Sequence, residues 1–285
     1  VTRLGSAPSA VRGRAALLWV EGPDAAGFLH GLLSNDVAAL APGESCVALL
    51  LDAKGHLQAD MRVHRDAPDA FTLVVDEDLA ERVAGQLEHH HFSEELDLLG
   101  PEAVDVLTVA GAPPDAAEAA ELAVPGRVPG TVDLVVADPA EALARLGLSE
   151  APPEDLEIAR VMAGVPRVGV DTGPTTLVQE VGLETSAVSF DKGCYLGQET
   201  VARAQYRGRV NRTLRGLALA APVAAGAGVS AEGREVGRLT SVVVAPDLGP
   251  IGLAVLRREV APGDTVRVEG EEAPARVVEL PFEGR

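Results

Sequence analysis

The chain has 285 residues, 47% of them hydrophobic, and a formal net charge of -19 at pH 7. That length suits one large domain or two to three small ones, with enough apolar content for a sizeable core. The acidity argues against bulk binding to nucleic acid or to an anionic membrane surface, the absence of a long unbroken apolar run argues against a transmembrane helix, and two cysteines, Cys46 and Cys194, make no disulfide framework.

Residues 15–20, AALLWV, read as a strand. No secretory signal is apparent ahead of it, so a cytoplasmic, reducing compartment is expected. Residues 22–37 read as a helix, with Phe28, Leu29, Leu32 and Leu33 at helical spacing and Ser34-Asn35-Asp36 as its stop. Residues 46–66 read as two strands around a Lys54-Gly55 turn, and Cys46 at their head reads as a buried structural thiol. A strand at 70–76, an amphipathic helix ending in His89-His90-His91-Phe92 and a strand at 103–111 follow. Three adjacent histidines on a helix point in different directions and read as surface residues, not as one metal site.

Residues 111–130 read as loose, with Pro and Gly at both ends. A strand at 131–138, a helix opening on Pro139 and a helix over 151–164 complete an α+β body, with β-α-β-β-α-β order around 47–146 that suits a split βαβ unit. After residue 212 the texture changes to short β-rich runs separated by Gly and Pro. These predict six short strands closed into a barrel, since closure hides their edges.

One stretch departs from the acidic background. Between 192 and 215 lie Lys192, Arg203, Arg207, Arg209, Arg212 and Arg215, against the single acid Glu199. A local positive field can hold a specific anion on an acidic molecule, or these arginines can pair with acids elsewhere. Within this island, Cys194 sits in a glycine-bracketed loop that runs into a helix near Gln198. Lys192 and the helix start favour thiolate at such a position, and Gly193 and Gly197 let the backbone bend sharply. The alternative is a small buried hydrophobe. Tyr195 and Tyr206 suit either stacking on a flat ligand or the core. No Cys-x-x-Cys is present, so the chain cannot hold a four-cysteine cluster by itself.

The run KGCYLGQE, Lys192 to Glu199, resembles the signature of the YgfZ-type folate-binding proteins, relatives of the glycine-cleavage T-protein (aminomethyltransferase). The helix and Asn-Asp turn over 17–43, the hairpin over 49–66 and the segment 233–256 resemble the same family, so the likeness spans nearly the whole chain. The resemblance implies a three-lobed ring with a central hole. Residues 1–46 and 150–212 would form a first α+β lobe, 47–149 a second interlocked with it, and 213–285 the barrel. It implies tetrahydrofolate or a derivative as ligand, no tightly held metal, and support of iron–sulfur cluster assembly or repair, tRNA-modifying enzymes included. It implies Cys194 as the functional thiol, tuned by Lys192. Gln198 and Glu199 would fix the helix entry or meet the ligand, Tyr195 would meet it, and Arg203, Arg207 and the arginines to 215 would hold its glutamate tail or an acidic or RNA-containing partner. Asp60 stands where T-proteins carry a carboxylate near the folate nitrogens. Met162 stands where the family often has the glutamate that binds the pterin, so that either Glu180 or another acid substitutes or folate affinity is reduced. Iron–sulfur client or assembly proteins are the implied partners, and a monomer the implied state. Two other readings stay open: an aminomethyltransferase-like one-carbon enzyme using Asp60, and a folate-regulated scaffold without thiol chemistry.

Overall fold

The structure is a computed structural model that describes residues 8–208 and 210–283. Its first strand, β1 (Ser9–Glu21), leads into helix α1 (Ala25–Leu32) and the meander β2 (Ser45–Leu51), β3 (Leu57–Ala67) and β4 (Ala70–Val75). Helix α2 (Ala80–His90), strands β5 (Asp97–Ala110), β6 (Leu122–Pro125) and β7 (Thr131–Val136), helix α3 (Pro139–Leu146) and the short β8 (Ser149–Ala151) follow. These eight strands form one sheet in the order β2-β3-β4-β1-β5-β7-β6, with β8 parallel to the start of β1. Strands predicted for two lobes thus share one sheet, with β1 at its centre.

Side chains alternate across that sheet, and the two faces differ. Leu18 and Val20 of β1, Ala59, Met61 and Val63 of β3, and Phe71 and Leu73 of β4 point to one face, where Leu29 of α1 and Val83 and Leu87 of α2 cover them. Burying each of the larger side chains stabilises the fold by roughly 1.5–3 kcal/mol. The residues between them, Leu17, Asp60, Arg62 and Val74, point to the other face.

Local chemistry sets several boundaries. Helix α3 opens on Asp138, which accepts hydrogen bonds from Ala140 N and Glu141 N, carries Pro139 at its first position, and stops at Gly147 with φ +63°. Residues 111–130, read from sequence as loose, hold a 3-10 turn over Ala116–Ala119 and the edge strand β6. Four residues are too few to display a period; pairing with β7, Leu122 opposite Val135, makes them a strand.

Helix α4 (Pro153–Met162) crosses to the other face of the sheet. The short helix α5 (Glu184–Ala187) and helix α6 (Gln198–Arg207) lead to the C-terminal strands β9 (Arg212–Ala218), β10 (Gly228–Ala231), β11 (Arg234–Ala245), β12 (Gly249–Arg257), β13 (Thr265–Val268) and β14 (Ala275–Val278). They close into the expected six-stranded barrel around Leu217, Leu239, Leu256 and Val277. The barrel docks on α4 through Val161, Leu214, Ile251 and Leu253. A buried polar bolt crosses this junction. Arg160 pairs with Asp171 at 2.7 Å and donates to Ser241 Oγ at 2.7 Å, while Ser241 Oγ donates to Asp171 Oδ1 at 2.7 Å.

Candidate functional site

The second face of the sheet and α4 enclose a cavity of about 630 Å³. Arg62, Thr108 and Asp133 form its floor, Arg127 and Arg167 one wall, and Glu154 and Glu157 of α4 another. Its charges are matched internally. Arg127 donates to Asp60 Oδ2 at 2.6 Å and to Asp76 Oδ1 at 2.7 Å. Arg167 reaches Asp76 at 3.2 Å and Asp78 at 3.1 Å. Arg62 lies 3.5 Å from Asp133, which accepts from Thr108 Oγ1 at 2.6 Å.

Burial opposes charge on each of these groups, and the outcome depends on the partner. For Asp76 burial pulls upward, but Arg127 and Arg167 outweigh it and hold the carboxyl below its ordinary value. For Asp133 burial wins over Arg62 and the Thr108 hydrogen bond, and its value rises. Burial works against the Arg127 charge, yet Asp60 and Asp76 hold it above the ordinary arginine value. Asp60 does not itself line the cavity: it lies behind Arg127, 5% exposed, with its Oδ1 buried and without a hydrogen-bond partner. Sequence reasoning singled out Asp60 but missed Arg62, Arg127, Arg167, Asp76 and Asp133. They are spread over 105 positions of chain, and the register of the sheet together with the loops after β6 and α4 brings them together.

Met162 does not line this cavity. It packs with Ile158 on the barrel junction. Glu180 is absent from it too: its carboxylate accepts from Leu177 N at 3.0 Å and closes a 3-10 turn. The α4 acids that reach the cavity are Glu154 and Glu157, and Glu157 is paired with Arg160 at 2.6 Å.

The cysteine loop lies over the opposite face. Tyr195 is 7% exposed and belongs to the same core as Met61 and Leu73, and burial pushes its phenol up to about 12. Gln198 is half-buried, and Glu199 and Arg203 are exposed on α6. None of these four lines the cavity, because α6 and its loop pack on the far side of the sheet. Arg212 is exposed on β9, Arg215 is half-buried beside it, and the Arg207 side chain and Arg209 lie outside the described residues.

Cys194 itself is exposed, and Gly193 beside it is exposed as well. The loop that carries them is stitched to the end of α1. Ser34 Oγ donates to Ala187 O at 2.5 Å, Ser189 N to Ser34 O at 3.0 Å, and Leu196 N to Gly31 O at 3.1 Å. Lys192 Nζ donates to His30 O at 2.6 Å, Leu33 O at 2.6 Å and Asn35 O at 2.9 Å, with the Tyr195 ring centroid 5.1 Å away. Burial pulls this amine down to about 8, against Asp36 and Cys46, which favour the charge. Sequence reasoning gave Lys192 the task of tuning the thiol; the structure commits its three protons to backbone carbonyls. Cys46 packs against the core, and burial pushes its thiol up to about 11, in keeping with an inert structural cysteine.

Gly197 precedes α6 with φ +81°, and a β-carbon there would lie 2.5 Å from Asp52 O. Gly55, at φ +80° in the β2–β3 turn, would meet Thr200 Cβ at 2.7 Å. Two glycines in the left-handed region therefore let the hairpin tip and the start of α6 interlock. Among the described residues no group of three His, Cys, Asp or Glu side chains is placed to hold a metal ion. His90 Nδ1 faces Gln86 O and His91 Nε2 faces Glu94 O. No described helix is long and apolar enough to cross a membrane.

Comparison with known proteins agrees with this architecture. Residues 15–123 match the GCVT N-terminal domain, and residues 212–283 match the glycine cleavage T-protein C-terminal barrel domain. A tRNA-modifying protein YgfZ from Klebsiella pneumoniae is 27% identical over 296 residues, covering 94% of this chain and 90% of its own. A mitochondrial iron-sulfur cluster assembly factor IBA57 homolog from Phaeosphaeria nodorum is 26% identical, covering 90% of this chain and 71% of its own. The crystal structure of glycine cleavage system aminomethyltransferase T from Bartonella henselae superposes with a TM-score of 0.82 at 23% identity, covering 96% of this chain and 87% of that one, which speaks to the fold. With both T-protein domains matched and relatives of the YgfZ kind aligned over nearly its full length, the chain belongs to the glycine cleavage T-protein family, among its YgfZ-type members.

Proposed function

We propose that this protein is a folate-binding accessory factor for iron–sulfur cluster assembly or repair, tRNA-modifying enzymes among its clients, and that it acts through Cys194. The observation that carries the reading is the exposed thiol on a loop tied down on both sides. A relative named for cluster assembly and another named for tRNA modification support the choice of pathway. A single thiolate can serve as one ligand of a cluster that passes between proteins.

The cavity suits tetrahydrofolate or a derivative. Glu154, which lines the cavity, can accept a ring N–H in place of the glutamate that Met162 replaces, while Asp60 behind the lining holds Arg127 in the cavity wall. Arg203 and Arg212 on the exposed side would meet an acidic partner surface. We place the protein in the cytoplasm as a monomer.

A calorimetric titration with tetrahydrofolate tests the cavity, run beside Cys194→Ala. Client iron–sulfur enzyme activity in cells tests the thiol. Binding in both proteins with loss of client activity in the variant is the expected pair of results. A second reading, an aminomethyltransferase-like enzyme, draws on Asp60; it requires turnover of an aminomethyl donor that survives Cys194→Ala.

A further inference from the structure

We infer that Lys192 is the positioning residue of the cysteine loop: its ammonium closes the carboxyl end of α1 and so fixes one end of a short bridge that holds Cys194 in solvent. The inference rests on the reading of Cys194 as the reactive group.

An α-helix leaves its last carbonyls without intrahelical donors. At the end of α1, Lys192 Nζ takes the carbonyl of His30 and Leu196 N takes that of Gly31. The same ammonium also takes Leu33 O and Asn35 O, in the turn that follows. The negative end of the helix dipole favours a cation there. Lys192 and Leu196 thus anchor both ends of a bridge of three residues. The third of these, Tyr195, is buried under the Lys192 ammonium. Gly193 and Cys194 are what remains in solvent. The geometry presents the thiol by holding its neighbours down.

Three carbonyl oxygens converge on one nitrogen, which matches the three N–H bonds of an ammonium. A guanidinium spreads its donors over three nitrogens in a plane and cannot reproduce that arrangement. The chain has only two lysines, Lys54 and Lys192, among many arginines. Lys54 is exposed at the β2–β3 turn and serves as an internal reference.

The first test uses the unmodified protein, labelled with lysine bearing ¹⁵N at the side-chain nitrogen, which yields two ammonium signals. The Lys192 protons should exchange with water at least ~10-fold more slowly than those of Lys54; equal exchange overturns the inference even if every variant fails to fold. The second test compares Lys192→Arg with Lys192→Met. Both should speed amide exchange at Ser189 and Leu196 by about tenfold while β3 and β4 stay protected. Both should also change the rate of Cys194 alkylation by iodoacetamide at pH 7, where the Lys192 amine is still charged. A wild-type rate in the arginine variant, with a slowed rate in the methionine variant alone, would make Lys192 a charge that tunes the thiol and would overturn the positioning role. Full client activity of Cys194→Ala in cells would remove the functional reading yet leave the ammonium and amide exchange results standing, so the two failures are separable.

Discussion

The two faces of the main sheet are made from alternate residues of the same strands and do opposite work. On β3, Ala59, Met61 and Val63 build an apolar core beneath the cysteine loop, while Asp60 and Arg62 build a charged network around a cavity. On the first face, polar chemistry joins the Lys192 ammonium and the Ser34 hydroxyl to backbone groups. On the second, Arg62, Arg127 and Arg167 pair with Asp133, Asp60, Asp76 and Asp78. The difference teaches that one strand can carry an apolar core on one side and a charged cavity wall on the other, so the proposed folate site and the proposed thiol site can be broken separately.

The largest effect is expected at the thiol. Cys194→Ala should reduce client iron–sulfur enzyme activity in cells to the level of a strain lacking the protein, with tetrahydrofolate affinity unchanged. A parallel loss of folate binding would show the two faces to be one site.

Arg127→Met should come next. It strands Asp60 and Asp76 without their cation, and breaking such a buried pair costs roughly 3–5 kcal/mol. Urea denaturation reads this directly. A cost well under ~1 kcal/mol would mark the cluster as solvated and the face as an ordinary surface.

The same cluster sets a pH dependence. Asp76 has its folded value below the ordinary carboxylate ~3.9, so its contribution is present above that pH and is lost as pH falls through the folded value. Removing Arg127 takes away the cation that holds Asp76 low. Urea midpoints between about pH 6 and pH 3 should therefore fall less steeply in Arg127→Met than in the wild type. An unaltered slope would point to other carboxylates as the source.

Asp60→Asn, which loosens Arg127 in the cavity wall, should weaken tetrahydrofolate binding by about tenfold, or ~1.4 kcal/mol, in the calorimeter and leave alkylation of Cys194 alone. The smallest effect is expected at Arg203→Ala. Its stability change should stay within ~0.5 kcal/mol, because Arg203 is exposed and has no ion pair among the described residues. A larger loss would mean that α6 depends on this side chain for its place on the body.

The sequence by itself determined the elements whose signal is local. The helical spacing of Phe28, Leu29 and Leu32, the Lys54-Gly55 turn, the Asp138-Pro139 helix start and the Gly-punctuated barrel strands each depend on residues a few positions apart. The cysteine loop was legible for the same reason: a glycine, a thiol and a cation within three positions announce themselves. The tertiary structure alone decided which groups meet. The register of β3, β4, β5 and β7 brought Arg62 to Asp133 and the loop after β6 brought Arg127 to Asp60, pairings separated by 71 and 67 positions. Likewise Lys192 reached the carbonyls of residues 30 to 35, about 160 positions back, at the helix end. Periodicity reports which face a residue takes, because that follows from local backbone geometry. It carries no information on which distant face will lie opposite, because that depends on the register and packing of the whole sheet.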